Sequence, residues 1–348
     1  MKRLYLYLAS LSLVLTVLIV LVSSAKMVSY VYFGGPDYFW RISKEILDKK
    51  RLHRLDVNTN EKKLIYETKE DLLIDISVAP TDTLIALLVK KEGVTPPDTF
   101  DYIVLPKNSL VFISPDGNEI GRLDEDVRKF SWSPDGQKIA YITGTYYEGG
   151  VGFKTTGVGI FDLKDRSKKQ IKKDFPHRTI EGFKGGGYEI KWAKHDNNIY
   201  IRDFDYLDGI YRYNTKTGKS EKVDCNGIDF SPDGKYYIGD GTLYLTSTNE
   251  NIMSLLRQKF GQQWTQFSLE WVFDKGHCLH FIAQKPIQKA DGKWDYEGQY
   301  NVIYDVEKDE ILKEVTLPIS WWKGSPNKLV FEKDGKIIVE TYEDLFKK

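Results

Sequence analysis

The chain has 348 residues, 41% hydrophobic and 29% charged, with 28 Gly and 12 Pro. That composition excludes a disordered or fibrous polypeptide and describes a folded globular protein. Lys plus Arg and Asp plus Glu each number 50, so there is no basic excess to neutralise phosphates, and a nucleic-acid partner is not expected.

The first element is hydrophobic. Lys2 and Arg3 precede an apolar run over residues 4–22, followed by Ser23, Ser24, Ala25 and Lys26. Flanking cations stay on the cytoplasmic side, so the rest of the chain is expected to be exported. Small residues at 23–25 form a cleavage signature, which makes residues 1–25 a signal peptide. The run is also long enough, at about 19 residues, to cross a bilayer as a helix and remain as a signal anchor. Both outcomes stay open. Neither Cys225 nor Cys278 follows the run closely enough for lipid attachment. Residues 26–50 read as a linker or an extra strand, and 51–348 as the folded domain.

Beyond it the aromatic fraction of 14%, with 22 Tyr and 8 Trp, points to strands, because such side chains suit a pleated, half-buried surface. A strand–turn–strand unit recurs six times. Its clearest copies are Trp132, Ser133, Pro134, Asp135, Gly136 and Phe230, Ser231, Pro232, Asp233, Gly234. Weaker copies centre on Val78, Trp192, Trp271 and Trp321. The six anchors are spaced by 54, 60, 38, 41 and 50 residues, the length of a four-stranded unit with variable connections. Apolar residues alternate into the turn, as Phe130 and Trp132 do, which is the strand period. Pro presets φ, Asp accepts from the backbone ahead, and Gly tolerates a positive φ. A second hairpin follows in each unit, as at residues 210–223, so two hairpins make one antiparallel sheet. The basic run at 166–173 falls in such a hairpin and reads as solvated. Ile252, Leu255, Leu256 and Phe260 recur at helical spacing before Gly261, which predicts a helix over 249–260 capping the fourth unit.

These units resemble the WD-like repeat of the TolB family. Ser133 to Gly136 and Ser231 to Gly234 carry the likeness almost verbatim, and it extends loosely from about residue 50 to the C-terminus. The resemblance implies an all-β fold, a six-bladed β-propeller of four-stranded antiparallel blades; strands within 27–50 would add a seventh, and the apolar run at 4–22 would precede it as an N-terminal hydrophobic helix. It covers the propeller half only, since about 25 residues between Ala25 and the repeats leave no room for the α/β domain that TolB carries. The same repeat serves scaffolds, peptidase accessory domains and lyases, so it speaks to fold and not to function. Closing the ring means joining first and last strands, which otherwise stay open to aggregation. The hairpin at 329–339, with its Asp334-Gly335 turn, is expected to belong to a three-stranded last blade. A strand at 63–66, with another at 52–56, would complete it.

In a meander of strands A to D, the A–B and C–D turns share one face of the disk, and the B–C and D–A connections share the other. Long insertions at 90–108, 143–157 and 284–299 follow B strands, and 175–187 is a D–A connection, so all four fall on one face. Long loops on a rigid scaffold are where binding concentrates. They carry Phe100, Tyr102, Tyr146, Tyr147, Phe153, Phe183, Tyr188, Trp294 and Tyr296, with His177 and Arg178. Aromatics and Arg are the types enriched at binding hot spots, although some must order their own loops.

Catalytic signatures are absent from the sequence. His277 and His280 lie three apart, which sends strand side chains to opposite faces; His195 replaces the turn Asp of its unit. Gly185, Gly186 and Gly187 lead into a strand, not a phosphate-binding helix, while Gly157 and Gly159 read as loop and strand entry. Cys225 and Cys278 fall in different units, so no disulfide framework is expected. The reading is an exported binding propeller, membrane-associated or periplasmic/extracellular, for a protein, peptide or cell-envelope polymer, with no cofactor and no metal. The alternative is a propeller lyase or hydrolase acting on a polysaccharide or peptide in the central channel.

Overall fold

The computed structural model describes residues 31–34, 38–42, 50–56, 62–69, 71–81, 83–91, 108–146, 153–173, 188–203, 209–239, 242–252, 265–271, 277–289, 292, 294–316, 321–324, 328–333 and 336–341. Within them every regular element is a strand, and each sheet is an antiparallel meander in chain order. The first sheet comprises β1 (Val31–Gly34), β2 (Tyr38–Ile42), β3 (Arg51–Asp56) and β4 (Lys62–Glu67), and the second β5 (Asp71–Val78), β6 (Ile85–Lys91), β7 (Asn108–Ile113) and β8 (Glu119–Leu123). The third holds β9 (Val127–Trp132), β10 (Lys138–Tyr146), β11 (Phe153–Asp162) and β12 (Lys168–Lys173). The fourth holds β13 (Tyr188–Trp192), β14 (Ile199–Asp203), β15 (Ile210–Tyr213) and β16 (Ser220–Val223). The fifth is β17 (Asp229–Phe230), β18 (Tyr236–Gly239), β19 (Thr242–Leu245) and β20 (Glu250–Asn251). The sixth is β21 (Thr265–Trp271), β22 (Cys278–Gln288), β23 (Trp294–Asp305) and β24 (Glu310–Thr316). Three strands, β25 (Trp321–Gly324), β26 (Lys328–Lys333) and β27 (Lys336–Thr341), make the seventh.

The core lies in the seams between consecutive sheets. Along β10, Ile139 and Tyr141 pack with Leu110, Phe112 and Leu123 of the second sheet. Ala140 and Ile142 face the other way, onto Ile190, Trp192, Ile199 and Ile201 of the fourth. A strand buried on both faces loses polar–apolar alternation because both sides meet another sheet. Further apolar layers join first to second sheet, fourth to fifth, and fifth to sixth. Leading strand β1 contacts both β5 and β25, so the sequence of sheets returns on itself. Face-to-face packing of meander sheets around a closed circuit is the β-propeller architecture.

The repeat anchors end the leading strands. Val78, Trp132, Trp192 and Phe230 are the last residues of β5, β9, β13 and β17, each paired with the residue seven positions on: Ile85, Ile139, Ile199 and Tyr237. The Trp side chains also stitch neighbours together. Trp132 Nε1–H donates to the Ser77 carbonyl at 3.4 Å, and Trp271 Nε1–H to that of Asp229 at 2.9 Å. Both acceptors immediately precede the anchor of the preceding sheet. Only Trp combines so large an apolar body with a donor at its far edge.

In both full turn motifs the Ser N–H and Gly N–H complete the turn backbone, and the Asp Oδ1 accepts from the residue after Gly, Gln137 at 3.0 Å or Lys235 at 3.1 Å. The glycines are forced. Gly136 and Gly234 have φ of +68° and +76°, and a Cβ on Gly234 would lie 2.4 Å from the His195 ring. Pro134 and Pro232 sit in these turns and are half-buried.

Four expectations change. The strands at 52–56 and 63–66 do not complete the last sheet; β3 and β4 pair with β2 and with each other, because short local connections outcompete a closure across the whole ring. Trp321 begins β25 instead of ending it, and the position before the turn belongs to Gly324, paired with Leu329. In the fourth unit the turn is built differently: positive φ moves to Asn197 (57°), and Asp196 takes over as acceptor for Asn198 N–H at 3.0 Å. His195 is thereby released from the capping role, and its ring packs 4.9 Å from that of Phe230. Finally, residues 250–251 form β20 where the helix was predicted to start, and 253–260 lie outside the described residues. So does the apolar run at 4–22; no helix among the described residues is long and apolar enough to cross a membrane. Cys225 and Cys278 are both free thiols, and burial pushes the Cys278 thiol up to about 12.

Candidate functional site

Within the insertions at 143–157 and 284–299, the described residues other than Lys289 and Gly292 are strand, where loops were expected. β10 and β11 run on past Thr143↔Gly157 through a register shift to Gly144↔Thr155, Thr145↔Lys154 and Tyr146↔Phe153. β22 and β23 likewise continue to Pro286↔Tyr296 and Gln288↔Trp294, with Gly292 at φ +80° in the connection. Two hairpins therefore extend on the B–C side, each well past the four-residue strands β15 and β16. Tyr146 and Phe153 are thus register partners near one tip, while Tyr296 and Trp294 lie in the other hairpin. Tyr188 opens β13. Phe100, Tyr102, Tyr147, His177, Arg178 and Phe183 lie outside the described residues, as does most of 90–108 and 175–187.

A built clamp holds the first hairpin at its root. Asp126, in the connection from second to third sheet, pairs with Arg128 at 2.6 Å. Arg128, only 6% exposed, donates from Nε to the Gly144 carbonyl at 2.8 Å. Gly144 N–H in turn donates to the Asp126 carbonyl at 3.0 Å. The register shift of β10 therefore falls where its backbone is held by the neighbouring connection.

Beside this clamp, in the seam between second and third sheets, lies a cavity of about 270 Å³ lined by Glu125, Tyr141, Thr143, Gly157, Val158, Gly159, Lys168 and Gln170. Its origin is legible along β11. Residues 157, 159 and 161 share one face of the strand. Phe161 fills the seam, stacking on Phe112 at 5.5 Å; toward the B–C end the Tyr141 ring covers Gly159, and Gly157 adds no side chain to the lining. Gly159 is required there, since a Cβ would lie 2.7 Å from the Tyr141 ring. The Tyr141 hydroxyl bonds Glu125, and burial, reinforced by that carboxylate, raises its pKa well above the ordinary tyrosine value. Lys168 Nζ pairs with Glu125 Oε1 at 2.8 Å. Thr143 Oγ1 donates to the Gly157 carbonyl at 3.3 Å and accepts from Thr156 at 3.0 Å. The cavity sits at the D–A and B–C end, so it belongs to the predicted face. Sequence reading passed over Gly157 and Gly159 as loop; the signal was two glycines at alternate positions of a strand.

On the opposite face Asp233, His277 and Glu307 bring ligand-type atoms within 4.8 Å of one another. His277, 6% exposed, holds Nε2 2.6 Å from Asp233 Oδ2 and Nδ1 2.9 Å from Glu307 Oε2. Lys235 Nζ already lies 2.5 Å from Glu307 and 3.6 Å from Asp233. The four groups form a clasp between fifth and sixth sheets, with Lys235 paired to both carboxylates. Burial pushes the Asp233 carboxyl up, but the Lys235 N–H, the His277 ring and the Ser231 hydroxyl outweigh it and hold the group down to about 2. The sequence offered no sign of this grouping, because the three residues come from two turns and a strand start far apart in the chain.

Fold and site together define a β-propeller whose B–C face carries projecting hairpins and a polar cleft. No family model matches the chain, and no curated protein does. Among solved structures it is similar to an oligogalacturonate lyase in complex with manganese, at 13% identity over 90% of this chain and 77% of that one, TM-score 0.42. It is also similar to the dihydro-heme d1 dehydrogenase NirN, at 12% identity over 89% and 62% of the two chains, TM-score 0.46. TolB from Acinetobacter baumannii shares 11% identity over 91% and 61%, TM-score 0.35.

Proposed function

We propose that the chain is an exported, membrane-associated binding propeller of seven blades, the last of three strands, that captures a protein, peptide or cell-envelope polymer on its B–C and D–A face. The observation that carries this reading is the pairing of a rooted, projecting hairpin with a polar cleft at its foot. A ladder that runs on to Tyr146↔Phe153, with its root held by Asp126 and Arg128, lowers the ordering cost of association. Tyr146 and Phe153 on one hairpin and Tyr296 and Trp294 on the other supply anchor residue types. The basic flank and apolar run at the N-terminus support export and membrane attachment.

Trimming tests it. Residues 145–154 are replaced by Asn-Gly, keeping the Gly144↔Thr155 pair and supplying a two-residue turn suited to hairpins. Residues 286–296 are treated the same way, keeping Lys285↔Glu297. Partner capture from isolated cell envelopes is expected to fall about tenfold or more with each trimmed variant, equivalent to losing one hot-spot anchor. Undiminished capture by variants with an unchanged unfolding midpoint would refute the proposal.

A further inference from the structure

We infer that the cleft between the second and third sheets accepts one uncharged sugar residue of a glycan chain. The inference rests on the binding-face reading and deepens it. Charge comes first. Glu125 and Lys168 are joined at 2.8 Å, so the cleft presents no net charge. An anionic ligand would have to approach the Glu125 carboxylate, and a cationic one the Lys168 ammonium, without a free counter-charge to gain. A neutral polyhydroxy ring suits both. Each of its hydroxyls donates and accepts, and the cleft offers a carboxylate acceptor, an ammonium donor, the Tyr141 and Thr143 hydroxyls, and the Gln170 amide, which does both.

Shape agrees with charge. Gly157 brings no side chain to the wall of the cleft, and over Gly159 the wall is the Tyr141 ring. A volume of about 270 Å³ falls just under the pocket sizes of roughly 300–1,000 Å³ that hold drug-sized molecules, so it fits a single residue and not an oligomer. The remainder of a chain would continue along the hairpin, which runs three residue pairs past the cleft to Tyr146↔Phe153, on the order of 10 Å at the usual strand rise. An apolar protein side chain finds no comparable lining, since Val158 is the one aliphatic residue among those around the cleft.

The experiment titrates the full chain in detergent with maltotetraose, cellotetraose, mannotetraose, chitotetraose and tetragalacturonate, by calorimetry and saturation-transfer NMR. At least one neutral tetrasaccharide is expected to bind. Tyr141→Phe and Gln170→Leu should each weaken it about tenfold, the loss of one hydrogen bond, and tetragalacturonate should not bind. Binding of none of the neutral probes, binding indifferent to both variants, or equal binding of tetragalacturonate overturns the inference. Envelope capture measured on the same two variants separates the two failures. If they lose a protein partner while no sugar binds, the cleft takes a protein group, and the binding face stands without its sugar. If capture survives these variants and the trimmed hairpins alike, the binding face falls as well.

Discussion

Replacing Gly234 by Ala tests how consecutive sheets are locked at their A–B turns. Two costs add at this position. The backbone has φ of +76°, a left-handed conformation that costs an L-residue about 1–2 kcal/mol. The new methyl would also stand 2.4 Å and 2.5 Å from two carbons of the His195 ring. That ring cannot swing away freely, because it is mostly buried and packs on Phe230 at 4.9 Å. Forced repacking of this kind costs about 1–3 kcal/mol, so the substitution should destabilise by about 2–5 kcal/mol in all. Gly292 provides the control. It has φ of +80° with nothing within 4 Å of its Cβ position, so Gly292→Ala carries only the backbone cost of about 1–2 kcal/mol. Urea unfolding followed by tryptophan fluorescence measures both. A double-mutant cycle with His195→Ala should return a coupling of about 1–3 kcal/mol, since removing the ring removes the two shortest contacts and leaves only the residue-195 Cβ, at 3.0 Å. The reasoning is refuted if Gly234→Ala is no worse than Gly292→Ala, or if the cycle is additive within about 0.5 kcal/mol.

Two further outcomes follow from the seams. Trp271→Phe should lower stability by about 1–2 kcal/mol, through the lost bond to the Asp229 carbonyl at 2.9 Å. Trp132→Phe should cost less for its bond, which is longer at 3.4 Å, and equal unfolding midpoints for the two would contradict this ranking. The clasp predicts acid sensitivity. Asp233 titrates at about 2 in the folded chain, below the usual value near 4 of an unfolded chain, so its contribution is complete above about pH 4 and disappears as pH falls through 2. Asp233→Asn should flatten the stability profile across that window, and an unaltered acid limb would show that the clasp contributes nothing.

Much of the fold was readable from local chemistry. The period of two and the Ser-Pro-Asp-Gly turns located the ends of β9 and β17, and the weaker copies at Val78 and Trp192 those of β5 and β13, since strand alternation and turn φ preferences act within a few positions. They also set which connections share a face, because an antiparallel meander leaves no choice. The same rules faltered where a unit lacked its turn residues. The first sheet has no such motif, and Trp321 was aligned by its aromatic ring when Gly324 held the structural position.

What the chain alone could not disclose lies between sheets. At the root of the ladder within 143–157, Gly144 N–H bonds the Asp126 carbonyl in the connection from the second sheet, while Arg128 reaches the Gly144 carbonyl. Gly157 and Gly159 line a cleft in the seam that Phe161 and Tyr141 help to fill. Asp233 and His277 meet though 44 residues apart. Periodicity reports which side of a strand is buried, but it carries no information on which distant side chain is waiting there, and the cleft and the clasp are made from those encounters.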